Sequence, residues 1–197
     1  MNEATDERRD ELRFKNQLRT MQIIAIAMLL GVCVFSTIVV FQVSTRQNDP
    51  AKPAVQGELP LSYLAAGALA VLGPLAFLLP GVIERSALKK IAVGTWTPPQ
   101  ARRGRTLPPG YFDSEESKLL FVRQTSLIIG MAMLEGTGFF GCMAYMVSGQ
   151  PLALGVIGGA IFLMLCKFPT AGRLRNWLEL QAARLTDLRR ERDVTPR

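Results

Sequence analysis

The sequence predicts an all-α membrane protein with four transmembrane helices, N-in and C-in, and a cytoplasmic amphipathic C-terminal helix. Three observations predict it. Of the 197 residues 49% are hydrophobic and only 20% charged, with a mean hydropathy of +0.21. The charge is also segregated, so that long stretches carry none of it, as membrane spans require. Finally, 21 of the 23 Lys and Arg fall in alternate polar segments, and only Arg46 and Lys52 fall between the first two apolar runs. By the positive-inside rule the arginine-rich segments face the cytoplasm. That distribution also accounts for the net charge of +7, and with no recognition motif beside the arginines no nucleic-acid partner is expected.

Residues 1–20 mix five acids with five bases at short spacing, the pattern of a solvated helix or a disordered arm. The stretch is too long and too acidic for a signal-peptide n-region, and it reads as a retained cytoplasmic tail. The first span covers 21–43, with no charge from Arg19 to Arg46. About 20 apolar residues in a helix cross a roughly 30 Å hydrocarbon core. Asn48, Asp49, Pro50, Pro53 and Gly57 then mark a short loop. The second span covers 59–83, where Pro74 and Pro80 each remove a helical hydrogen bond, so a kink is expected near Gly73-Pro74.

Residues 84–123 form the longest polar stretch, a Pro- and Arg-rich cytoplasmic loop with a basic cluster at Arg102, Arg103 and Arg105. Asp113-Ser114-Glu115-Glu116 reads as a helix start, with a capping side chain and acids in the first turn. That helix runs into the third span, 124–147. Ser148-Gly149-Gln150-Pro151 is a tight turn by composition, and the fourth span, 152–166, is short for a full crossing. Lys167 can snorkel and Phe168 can sit at the interface to lengthen it. In 170–197 the residues Leu174, Trp177, Leu178, Leu185 and Leu188 share one arc at helical spacing, ringed by arginines. Such a helix either lies on an anionic membrane face, with Arg173 and Arg175 on headgroups beside Arg102, Arg103 and Arg105, or packs on the cytoplasmic loop.

The absence of His removes His-ligated metal sites and Ser-His-Asp triads. Cys33, Cys142 and Cys166 all lie in apolar runs without metal-ligand spacing and read as buried reduced thiols, not a disulfide framework. No catalytic dyad or paired acids with metal spacing occur, so neither an enzyme nor a cofactor is expected.

Glu135 stands alone as the one charged residue between Arg123 and Lys167, at mid-span. An ionised carboxylate there is expensive, so the group is expected to be neutral, paired, or in a wet cavity. Ser36, Thr37, Tyr63 and Thr137 are the candidate hydrogen-bond partners. Glu135 then serves either as a structural hydrogen bond or as a proton or cation relay. Around it, Gly136, Gly138, Gly155 and Gly159 are the small residues that let helices approach closely, within the hairpin or between copies.

Leu134-Glu135-Gly136, Phe139-Phe140, Ala144-Tyr145 and the closing Phe168-Pro169-Thr170 resemble the C-terminal hairpin of an uncharacterised family of small four-helix bacterial membrane proteins. That resemblance implies a multi-pass protein of the bacterial inner membrane and carries no assigned activity. A glycine-rich hairpin with one mid-membrane carboxylate and the polar Gln150-Pro151 turn also resembles the proteolipid (c-type) subunits of rotary ATPases. There the carboxylate follows the turn, whereas Glu135 precedes it. The composite expectation is a structural or accessory subunit of a membrane complex, in contact with anionic headgroups and with a partner or a second copy. The alternative is an ion-coupled channel or transporter subunit using Glu135.

Overall fold

The computed structural model describes residues 3–47, 61–97 and 114–194. They form five helices and, among the described residues, no strand: α1 (Glu3–Gln47), α2 (Leu61–Val93), α3 (Glu115–Ser148), α4 (Pro151–Cys166) and α5 (Ala171–Val194). Segments of α1, α2 and α3 are long and apolar enough to cross a membrane, and α4 joins them only as a bent pair with α5. At 16 residues, α4 is about 24 Å long.

The helix ends follow local chemistry. Ser114 Oγ accepts the backbone N–H of Ser117 at 3.2 Å, so the predicted helix start is an N-cap, with Glu115 and Glu116 in the first turn. Between α3 and α4 the chain turns in two residues. Gly149 adopts φ 64° and Pro151 supplies the first position of α4, where its missing N–H costs nothing. α2 does not stop where its charges begin. It runs through Pro74, Pro80 and the polar residues as far as Val93, so the first quarter of the expected loop is helix.

The chain divides into two compact units, and α1, α2 and α3 contribute to both. The first unit, Met1–Met21, Pro80–Ser126 and Pro169–Arg197, holds most of the charge. The second, Gln22–Leu79 and Leu127–Phe168, is a bundle of α1 to α4. Its register can be read from pairs of residues. Val32 meets Gly138, Phe35 stacks edge-on to Phe139 (5.2 Å between centroids), and Ser36 meets Cys142, so α1 and α3 run parallel. Ser62 bonds Ser148 at 2.9 Å at one end of an antiparallel α2–α3 pair. Leu69 touches Gly159 and Leu163 touches Gly73, making α2 and α4 parallel. Ile157 and Val156 press on Gly141, making α3 and α4 antiparallel. Helix α3 therefore touches all three others, and three of its four glycines, Gly130, Gly138 and Gly141, lie at those contacts.

Glycine roles separate cleanly. A Cβ at Gly138 would sit 2.9 Å from Val32 Cγ1, and one at Gly141 3.1 Å from both Ile157 and Val156. A Cβ at Gly159 would lie 2.9 Å from Leu69 Cδ2. Gly136 and Gly155 face open space, so within the chain these two of the four expected packing positions meet no neighbour. The GxxxG pair works through Gly159 only. Outside the bundle contacts, large apolar side chains are exposed, among them Leu30, Val34, Phe41, Leu64, Val71, Leu78 and Phe162.

Gly138→Ala and Gly141→Ala are expected to destabilise the chain by about 1–3 kcal/mol through overpacking. Gly136→Ala and Gly155→Ala are expected to be neutral or to stabilise by up to about 1 kcal/mol, since alanine is the better helix former. Thermal unfolding of the four purified variants, followed by circular dichroism, checks the split.

Candidate functional site

Glu135 lies 12 residues along α3 from Arg123, about 18 Å of helix. Its carboxylate reaches across to α1 and faces Gly31, where a Cβ would be 3.5 Å from Oε1. The residue is half-buried, and Gly136 beside it is exposed and open. The carboxylate thus sits in a shallow notch between α1 and α3, floored by one glycine and flanked by another. Among the described residues no hydrogen bond or ion pair reaches it.

None of the four expected partners does so, and the reason is common to three of them. A hydroxyl inside a helix without a cross-helix acceptor bonds the carbonyl one turn back. Thr37 donates to the Cys33 carbonyl at 2.9 Å and Thr137 to that of Met133 at 2.8 Å. Ser36 donates to the Val32 carbonyl at 2.6 Å and meets Cys142 Sγ at 3.2 Å. Tyr63 is 68% exposed on α2. The α1–α3 register opposes Glu135 with Gly31, more than one helical turn before Ser36.

A second polar centre, which the sequence reading missed, lies in the same unit. Pro80 has no N–H, so the carbonyl of Ala76, four residues back, loses its helical partner. Lys167 Nζ donates to that carbonyl at 2.5 Å and lies 4.8 Å from the centroid of the Phe77 ring. Gly130 makes the room, because a Cβ there would run into Lys167 Nζ and come within 2.9 Å of the Ala76 oxygen. Lys167 therefore turns inward to α2 instead of snorkelling outward. The signal was present as a proline four residues after an otherwise ordinary alanine. What sequence alone lacked was the pairing of α2 with α4.

The charged unit has its own centre. Glu84 is buried and accepts from Arg123 Nη1 at 2.8 Å and from Trp177 Nε1 at 3.0 Å. Arg123 also lies over the Trp177 ring at 5.2 Å. Three helices meet at this carboxylate. Gln17 donates to Gln124 at 2.7 Å, Arg175 covers the Phe14 ring at 5.4 Å, and Arg189 pairs with Glu115. At exposed Glu11 the hydrogen bond and charge of Lys15 hold the carboxyl below its ordinary value.

Leu174, Leu178 and Leu185 are buried in this unit. The apolar arc of α5 thus packs on protein, as one of the two expected arrangements had it. Arg173 and Arg175 are exposed, and Arg102, Arg103 and Arg105 lie outside the described residues. Among the described residues no group of His, Cys, Asp and Glu could hold a metal ion, and no disulfide joins the three cysteines; Cys142 is buried as expected, whereas Cys33 is half-buried and Cys166 exposed.

No family model, curated protein or solved structure matches the chain.

Lys167→Met is expected to cost about 1–3 kcal/mol, because the Ala76 carbonyl is left without a donor. In a Pro80→Ala background the helix supplies its own N–H, and the same change is expected to cost less. A double-mutant cycle on thermal stability reads that coupling directly.

Proposed function

We propose that this chain is an integral multi-pass protein of the bacterial inner membrane, with four spans and with both termini and residues 84–123 in the cytoplasm. It serves as a structural or accessory subunit of a membrane complex. Support for the membrane reading comes from three long apolar helices whose large hydrophobic side chains face outward. Exposed apolar surface on that scale is costly in water and favourable in lipid. The alternating helix directions suit the charge distribution, since they leave only Arg46 and Lys52 for the opposite side.

The observation that carries the accessory role is the Glu135 notch. Among the described residues none offers the carboxyl a donor, and an acid in an apolar surface is best satisfied by one from outside. A partner helix, from another protein or a second copy, fills that need. The same observation favours a second reading, in which the exposed acid exchanges protons or cations as a relay.

Carbodiimide labelling of Glu135, read by mass, separates the two. For an accessory subunit, Glu135 is expected to be protected in native membranes and labelled once the chain is purified in detergent. Glu135→Gln should keep the chain folded while reducing the size of its native assembly. Rapid labelling in native membranes that falls with rising pH or added sodium overturns the accessory role in favour of the relay.

A further inference from the structure

The C-terminal end of α2 carries a feature that neither proposed role uses. Gly94, with φ 77°, ends the helix. Its N–H bonds the Ile91 carbonyl and the Thr95 N–H bonds the Lys90 carbonyl, both at 3.0 Å. This 5→2 and 6→1 pairing is a Schellman stop, and it needs a residue at ease with positive φ. It turns the chain back, so that Trp96 lies against Phe121 of α3, edge to face, with centroids 6.2 Å apart. The fold-back roofs a cleft of about 180 Å³ between α2 and α3. Ile83, Ala87 and Val122 form its apolar part. Ser86, Lys90, Thr97 and Thr125 supply its polar atoms, and among the described residues no acid lines it.

We propose that this cleft binds the headgroup of an anionic phospholipid bearing free hydroxyls, of the phosphatidylglycerol type. Size is the first argument. Pockets for drug-sized ligands run to roughly 300–1,000 Å³, so this one suits a headgroup and not a nucleotide. Level is the second. The apolar run of α2 ends at Ile83, and Lys90 lies seven residues further, about 10 Å. Under the membrane reading, on which this inference rests, that places the Lys90 backbone at the outer edge of the headgroup region, from which its long side chain reaches a phosphate, and Trp also concentrates in that region.

Chemistry is the third argument. Lys90 is exposed and brings three N–H donors to a phosphodiester, whereas Arg85 and Lys89 lie outside the cleft lining. The Ser86 and Thr125 hydroxyls already donate, to the carbonyls of Ile83 and Phe121 at 3.0 Å each. Their oxygens remain as acceptors, which headgroup hydroxyls match and a choline methyl does not. The acyl chains stay outside, along the apolar surface of α2.

The test uses the full chain in phosphatidylcholine vesicles with increasing phosphatidylglycerol, read by tryptophan fluorescence. A saturable change that disappears in Trp96→Phe is expected. Lys90→Gln should raise the phosphatidylglycerol fraction at half-saturation about fivefold, the effect of one lysine near an anionic surface. Lys89→Gln, outside the cleft, should leave it unchanged. Equal shifts in the two lysine variants mean diffuse surface attraction and overturn the site. Saturation by soluble glycerophosphate in phosphatidylcholine vesicles overturns the lipid as its occupant. A chain that enters neutral vesicles but shows no response to phosphatidylglycerol loses this proposal alone. A chain that does not float with neutral vesicles loses the membrane reading and this proposal with it.

Discussion

The bundle depends on one awkward carbonyl. Pro80 denies Ala76 its helical hydrogen bond, and in an apolar interior an unmet carbonyl costs as much as a lost hydrogen bond. The solution takes three helices at once. α2 brings the carbonyl and the Phe77 ring, α4 ends in Lys167, and α3 contributes Gly130, which leaves space for the ammonium. The contact fixes where α4 stops relative to α2. That register then sets Leu69 on Gly159 and Leu163 against Gly73, each a whole number of turns away along the same seam. A short last helix is tolerable because its end is pinned by a charged donor and not left to find its own depth.

Helix α3 plays the complementary part. It gives up side chains where neighbours must come close, with Gly138 toward α1 and Gly141 toward α4. Midway along it carries Glu135, turned toward Gly31 of α1, with Gly136 beside it open. On the membrane reading, close packing between these helices rests on shape and van der Waals contact, so the positions of the missing side chains decide which faces join. The face bearing Glu135 and Gly136 is left out of that scheme. In the charged unit a single buried carboxylate, Glu84, does for α2, α3 and α5 what the Ala76 carbonyl does in the bundle.

Apolar runs, proline and charge made the five helices legible in the sequence. The start of α3 within residues 113–116 and the turn within residues 148–151 could be read to a residue or two, because capping and turn chemistry are local. The polar end of α2 could not, since prolines further on suggested a loop while Glu84 and Ile91 were already committed to packing. The hydroxyls near Glu135 misled for a physical reason. Equal depth was judged by counting along each span, but helices in register differ by rotation as well as height, and Gly31 faces the acid where Ser36 does not. Gly155 misled in the same way, as spacing shows that two glycines share a face without showing what that face meets. Partners across helices, such as Lys167 with Ala76, require the pairing itself.

The separation of Lys167 from Ala76, 91 positions along the chain, has a consequence for biosynthesis. At about 5–20 residues per second, the ribosome needs roughly 5–20 s after making Ala76 to produce the lysine that completes it. On the membrane reading proposed above, α2 is during that interval a membrane segment whose Ala76 carbonyl has no lysine to meet it. The group must then be sheltered elsewhere, in water near the headgroups or against the insertion machinery. The contact between α2 and α4 therefore forms late in synthesis, and it waits on the end of the shortest of the five helices.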